Sequence, residues 1–245
     1  MFSVEERDEL RDRVVAMARR DRRVVAAAEV GSLAAREGDR WSDLDLTFAI
    51  DESAGVAAVL DDWTSTLVAE LGAAHLFDLA VAGTIYRVFM LRDCLQLDVS
   101  FSLASEFRPT SPRFRLIFGE AAKPRPTERQ PPRDYLGWAV MWARHARVCI
   151  ERERWWQAEH AISRMRECAL DFAASRRDLP AGYGRGLEHL PLEVRQPFAS
   201  SLVLSFEPDA LSDALKACVA ALVAECEGEG DAIVCERLSE TIGGL

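Results

Sequence analysis

Asp43 and Asp45, in the run Trp41-Ser42-Asp43-Leu44-Asp45-Leu46, are the two carboxylates of this 245-residue chain whose spacing suits a metal ion. In an extended strand alternate side chains share a face. Both acids would therefore project together, roughly 6–7 Å apart, while Leu44 and Leu46 point the other way into a core. Carboxylates so placed can turn inward and share hard divalent cations such as Mg²⁺, which take oxygen ligands and keep phosphates and water in their remaining positions. Nine residues separate Ser42 from the pair Gly31-Ser32. A Gly-Ser turn can offer backbone N–H groups and a hydroxyl to a phosphate, because glycine lets the chain approach without a Cβ in the way. Together these residues describe a site that holds a nucleoside triphosphate through its metal. A third carboxylate is available in Gln96-Leu97-Asp98-Val99-Ser100-Phe101, where Leu97, Val99 and Phe101 fall on one face and Asp98 with Ser100 on the other. Asp78 and Asp93 lie on or next to neighbouring strands. Asp98 is preferred because it sits inside an alternating run, whereas Asp93 adjoins a turn at Arg92-Asp93-Cys94.

With Gly31, Ser32, Ser42, Asp43, Asp45 and Leu46 in this order and spacing, and Asp98 on a later strand, the chain resembles the DNA polymerase β-like nucleotidyltransferase superfamily. Among its branches it is most like the small-molecule nucleotidyltransferases that act on aminoglycoside- and lincosamide-type antibiotics. The resemblance spans about residues 24–102, and the rest follows only in outline. It departs at Arg36, where many members carry a second glycine; here the glycine comes at Gly38. A phosphate loop of different shape is the expectation at that point. The resemblance implies an α+β fold: a mixed β-sheet with flanking helices over residues 1–120, a proline-rich linker over 121–132 and a helical bundle over 133–245, with the acceptor between the two parts. It implies an enzyme that transfers a nucleoside monophosphate from an NTP, ATP foremost, to a hydroxyl of a small-molecule acceptor and releases pyrophosphate. Asp43, Asp45 and Asp98 would hold two Mg²⁺ ions, with Asp98 either completing the first or taking the acceptor's proton. Ser32 would meet the terminal phosphates, and Ser42 would steady the loop.

The elements that must position these residues can be read from apolar spacing. Leu10, Val14, Met17 and Ala18 recur at helical spacing and predict an opening helix over about Val4 to Arg20. The Arg19-Arg20-Asp21-Arg22-Arg23 cluster at its end suits the negative end of the helix dipole as well as it would suit nucleic acid, and the first reading is preferred. Strands follow at Val24–Val30, which delivers Gly31-Ser32, and at Leu44–Ile50. A helix over about Ala54 to Leu71 is expected to bury Val56, Val59, Leu60, Trp63, Leu67 and Leu71 and is ended by Gly72. Strands at about His75–Val81, Thr84–Leu91 and Leu95–Phe101 come next, the first two joined tightly through Ala82-Gly83. One more short strand is expected at Phe114–Phe118. Pro124, Pro126, Pro131 and Pro132 then end regular structure. Beyond them everything reads as helix: one around Trp138–Trp142, one from Trp155 to Arg177, and further helices at Pro191–Ser205, Pro208–Glu225 and Ala232–Leu238. The sheet is expected to carry its helices on one side.

Composition narrows the function classes. Net charge is −10, and from Phe206 to Leu245 nine acids stand against two bases. A long polyanion would meet repulsion there, which disfavours a general nucleic-acid binder. Lys123 and Lys216 are the only lysines, so phosphate contacts would fall to arginine. The six cysteines include no Cys-x-x-Cys pair and read as reduced thiols. No apolar run reaches the roughly 18–20 residues of a membrane span, and the charged first 23 residues do not resemble a signal peptide, so a cytoplasmic location is expected. The Glu227-Gly228-Glu229-Gly230 stretch is too short to be low complexity.

In the second half, Glu159, Ser163 and Arg166 share one helix face and could bind acceptor or phosphate, though an ordinary solvated face with a salt bridge is the stronger reading. His160 and Arg164 lie on a neighbouring strip. Trp155-Trp156 could stack a base, although aromatics at a helix start more often join a core. Two alternatives to the small-molecule enzyme stand. One is a protein- or RNA-modifying nucleotidyltransferase, which would want a basic groove around Arg108, Arg113, Arg115 and Arg125. The other is a catalytically degenerate nucleotide-binding protein, for which Arg36 is the one hint and the intact acids the counter-argument.

Overall fold

A computed structural model describes residues 2–125, 129–226 and 232–243. Pro126 of the proline-rich stretch and the Glu227–Gly230 run lie outside the described residues. The chain divides into two compact units, Met1–Glu128 and Arg129–Leu245.

The first unit opens with helix α1 (Val4–Arg20), which starts on a capping box: Ser3 accepts the Glu6 N–H while the Glu6 carboxylate accepts the Ser3 N–H. Strand β1 (Val24–Val30) runs into a four-residue helix α2 (Gly31–Ala34). Then follow β2 (Leu44–Ile50), α3 (Val56–Leu71), β3 (Ala74–Val81), β4 (Thr84–Met90), β5 (Gln96–Leu103) and β6 (Phe114–Phe118). These strands form one sheet in the order β3-β4-β5-β2-β1-β6. All neighbours are antiparallel except β2 and β5, which are parallel and separated in the chain by α3, β3 and β4. The mixed sheet expected from the sequence is therefore present.

Period-two alternation decides which face is core. Leu44, Leu46, Phe48 and Ile50 of β2 and Leu97, Val99 and Phe101 of β5 are buried with Leu10, Val14 and Ala18 of α1 and Val59, Leu60, Trp63 and Leu67 of α3. Phe48, Trp63 and Phe101 meet with ring centroids 4.8–5.3 Å apart. Each of these large side chains is worth about 1.5–3 kcal/mol on burial, enough to fix the register of both strands. The reverse face carries a smaller apolar group, Ala26, Ala28 and Ala49 under Phe107. The same alternation that buries Leu44, Leu46, Leu97 and Val99 turns Asp45 and Asp98 to that reverse face.

The second unit contains α4 (Pro132–Glu151), α5 (Trp155–Ser175), α6 (Leu192–Ala199), α7 (Pro208–Cys226) and α8 (Ala232–Glu240). Its core is an Ala- and Leu-rich cluster from α4, α5 and α7, among them Ala139, Ala143, Ile162, Met165, Leu215 and Leu222. Small residues let these helices pack closely. The helix expected over Pro191–Ser205 is shorter, and ends at Ala199 soon after Pro197. Among the described residues no helix is long and apolar enough to cross a membrane.

Candidate metal centre

Parallel pairing of β2 with β5 sets Asp45 directly opposite Asp98. Asp43 is not on the strand, as alternation suggested, but is the last residue of the loop before it. Even so, one carboxylate oxygen from each of Asp43, Asp45 and Asp98 lies within 4.8 Å of the others, and all three residues are half-buried. An all-oxygen donor set of three carboxylates suits a hard divalent cation. Crowding is felt at Asp98, whose carboxyl is pushed above the ordinary range, chiefly by burial and further by the charge of Asp43. Opposing this, the Gln96 side-chain amide donates to both Asp98 oxygens, at 3.0 and 3.1 Å. A cation among the acids would relieve that crowding, so the residues present fit a divalent metal.

Gly31 touches this site directly. Its backbone is left-handed, at φ +72°, and a Cβ added there would stand 2.3 Å from Asp45 Oδ2. Glycine is therefore required twice, for the conformation and for the close approach of the carboxylate. Ser32 follows in α2, half-buried, and its carbonyl accepts the Glu37 N–H at 2.9 Å. Arg36 also has a left-handed backbone, at φ 59°. The chain thus takes at Arg36 a conformation that a glycine adopts without steric cost, and the arginine side chain does not prevent it.

Ser42 belongs to the turn that delivers Asp43. Its hydroxyl accepts the Asp39 N–H at 3.0 Å and donates to Asp39 Oδ1 at 3.1 Å, and the Trp41 N–H donates to the same oxygen at 2.8 Å. The Asp39 carboxyl is lowered by these bonds, the one from Trp41 first. Beneath the turn lies Arg7 of α1, 5% exposed, whose Nη1 donates to the carbonyls of Asp39 at 2.6 Å and Ser42 at 3.3 Å. Nothing in the spacing of the charged first helix singled out Arg7, and its buried Nε makes no hydrogen bond among the described residues, though it lies 3.7 Å from Asp8 Oδ1.

Other candidates are occupied elsewhere. Asp78 pairs in register with Arg87 on the helix-covered face and accepts from its Nε and Nη2, both at 2.6 Å. Those bonds, with a smaller contribution from His75, lower its carboxyl. Asp93 lies in the turn between β4 and β5 with a left-handed backbone, at φ 58°. Arg113 is paired with Glu37, Arg115 with the buried Glu29, and Arg108 and Arg125 with Glu106. In the second unit, Ser163 donates to Glu159 at 2.7 Å and accepts from Arg166 at 3.0 Å, while Arg166 donates to the Ser201 carbonyl at 2.8 Å. That face ties α5 to the chain end of α6. Trp155 packs against the helical core, and Trp156 is exposed against Phe206. A groove of the first unit, about 590 Å³ between α1, α3 and the β4–β5 turn, contains none of the three acids.

No protein-family model matches the chain, and no curated protein matches it. Among solved structures, it is similar to an aminoglycoside 6-adenyltransferase from Bacillus subtilis, at 11% identity over 94% of this chain and 89% of that one, with a TM-score of 0.33.

Proposed function

We propose that the first unit is a divalent-metal-dependent nucleotidyltransferase that moves a nucleoside monophosphate from an NTP, ATP foremost, to a hydroxyl of a small-molecule acceptor. One observation carries this reading: three carboxylates converge within 4.8 Å on the open face of a sheet, with Gly31 against one of them. Asp43, Asp45 and Asp98 would hold Mg²⁺, which when bound supplies positive charge to the triphosphate and the leaving pyrophosphate. Gly31 and Ser32 bring backbone and hydroxyl groups toward the phosphates. Asp98 either completes the metal site or takes the acceptor's proton. In the transfer the acceptor oxygen forms a bond to the α-phosphorus, the bond from that phosphorus to the bridging oxygen breaks, and pyrophosphate leaves. A protein- or RNA-modifying activity would draw on Arg108, Arg113, Arg115 and Arg125, and the carboxylate paired with each of them weighs against that use.

The test is calorimetry of ATP and GTP with and without Mg²⁺, on wild type and Asp45→Ala. Binding should need both the metal and Asp45. Losing a direct ligand should cost more than the roughly 10–100-fold that follows loss of an outer-shell partner. A wild type that binds neither nucleotide in Mg²⁺, or an Asp45→Ala protein that binds as the wild type does, refutes the reading. Where binding is found, pyrophosphate release in the presence of hydroxyl-bearing acceptors identifies the reaction.

A further inference from the structure

The second unit has a cavity of its own, about 340 Å³, between α4 and α5. Tyr135, Trp138 and Trp142 stand at helical spacing along α4, and Arg164, Glu167 and Asp171 along α5, so two facing stripes form its walls. Volumes of 300–1,000 Å³ with aromatic walls and a few polar groups are typical of small-molecule sites. The polar groups here do not balance. Arg164 pairs with Glu167, and among the described residues Asp171 makes no ion pair at the cavity wall.

Asp171 is 5% exposed, and the hydrogen bond its side chain makes among the described residues comes from the Gly182 N–H, at 2.7 Å to Oδ1. Burial raises its carboxyl above the ordinary range, with a further push from Glu167, against the opposing effects of the Gly182 N–H and the Arg164 charge. Burial likewise raises the Tyr135 phenol, and the charge of Asp171 adds to it. An ionised carboxylate in such surroundings is costly unless a cation joins it. Trp142 already faces one cation, since the Arg164 guanidinium lies 5.9 Å from its ring centroid. Trp138 is half exposed. Indole faces are the strongest aromatic partners for organic cations.

We propose that this cavity binds an organic monocation, a protonated amine or quaternary ammonium on an apolar body, with its charge against Asp171 and its body against Trp138 and Trp142. Glu167 and Asp171 against the one guanidinium of Arg164 leave one negative charge in excess, which matches one positive charge, and the aromatic walls match an apolar body rather than a hydrated metal ion. The inference does not rest on the acid triad of the first unit.

The experiment uses the full chain and two probes of similar shape, phenethylammonium and its neutral analogue 2-phenylethanol, followed by calorimetry and tryptophan fluorescence. The amine should bind at one site per chain, at least about tenfold tighter than the alcohol. Asp171→Asn keeps an acceptor for the Gly182 N–H and should fold; it should erase that preference and leave the alcohol unchanged. Trp142→Leu should weaken both probes. Asp45→Ala should bind the amine as the wild type does, which separates this site from the metal centre. Equal affinity for amine and alcohol overturns the proposal. So does an amine affinity indifferent to Asp171→Asn, dependence on Asp45, or no saturable amine binding at millimolar concentration.

Discussion

Gly31→Ala separates backbone strain from damage to the metal centre. At φ +72° an alanine pays the left-handed penalty of about 1–2 kcal/mol. Its new Cβ also falls 2.3 Å from Asp45 Oδ2, where ordinary contact begins at 3.4 Å, so the carboxylate must retreat by about 1 Å. A carboxylate oxygen at the end of a rotatable side chain can move at small cost in stability. A displacement of that size in a reacting assembly costs about a hundredfold in turnover. Gly72, which ends α3 at φ +63° with nothing within 4 Å of its would-be Cβ, is the matched control. Gly31→Ala and Gly72→Ala should lose similar stability, a few degrees in thermal melting. Only Gly31→Ala should lower Mg²⁺-dependent nucleotide binding and pyrophosphate release. Wild-type metal dependence in Gly31→Ala, or an equal loss in Gly72→Ala, refutes the role assigned to the contact.

Two further outcomes are expected. Asp21 accepts from Arg23 and from the Trp63 indole N–H at 3.0 Å, and its carboxyl is lowered to about 2, chiefly by Arg23. The folded value lies below the unfolded one, so its contribution is present above about pH 4 and is lost as pH falls through about 2. Discounted for partial exposure, Asp21→Asn should cost about 1–2 kcal/mol in urea unfolding at neutral pH, a fraction of that at about pH 2 and nothing by about pH 1; a gap that stays undiminished from neutral pH to about pH 2 contradicts the assignment. Arg36→Gly removes a side chain from a left-handed position and should stabilise the protein by up to about 1 kcal/mol in thermal unfolding, with metal-dependent nucleotide binding unchanged. A loss of stability would mean that the Arg36 side chain is itself holding the loop.

Strand placement was legible because period-two alternation survives in β2 and β5, and it fixed which side Asp45 and Asp98 face. The same signal misled at Asp43, since a pattern of two acids around one leucine does not say where pairing begins. Nor does it say where β3 sits: Leu76, Phe77, Leu79 and Val81 are all exposed because β3 is the sheet edge. Composition records strand propensity, whereas edge or centre is decided by the rest of the sheet. The contacts that finish the site differ in legibility. Gln96 reaches Asp98 from two residues along the same strand face, whereas Gly31 against Asp45 depends on a distance set by tertiary packing. Arg7 sits in a helix crowded with charge, where one buried guanidinium looks like its solvated neighbours.

That buried guanidinium has a consequence for how the chemistry is parcelled along the gene. The acids, the glycine and the serines all fall between residues 31 and 98, but the loop that presents Asp43 is pinned from residue 7. The smallest segment that could be transplanted with the three acids arranged as they are therefore starts at α1, and a graft beginning at β1 would carry every acid and leave one of them unaimed. Recombination that exchanged the first helix for another of equal helicity would loosen the candidate centre without altering any of its three acids.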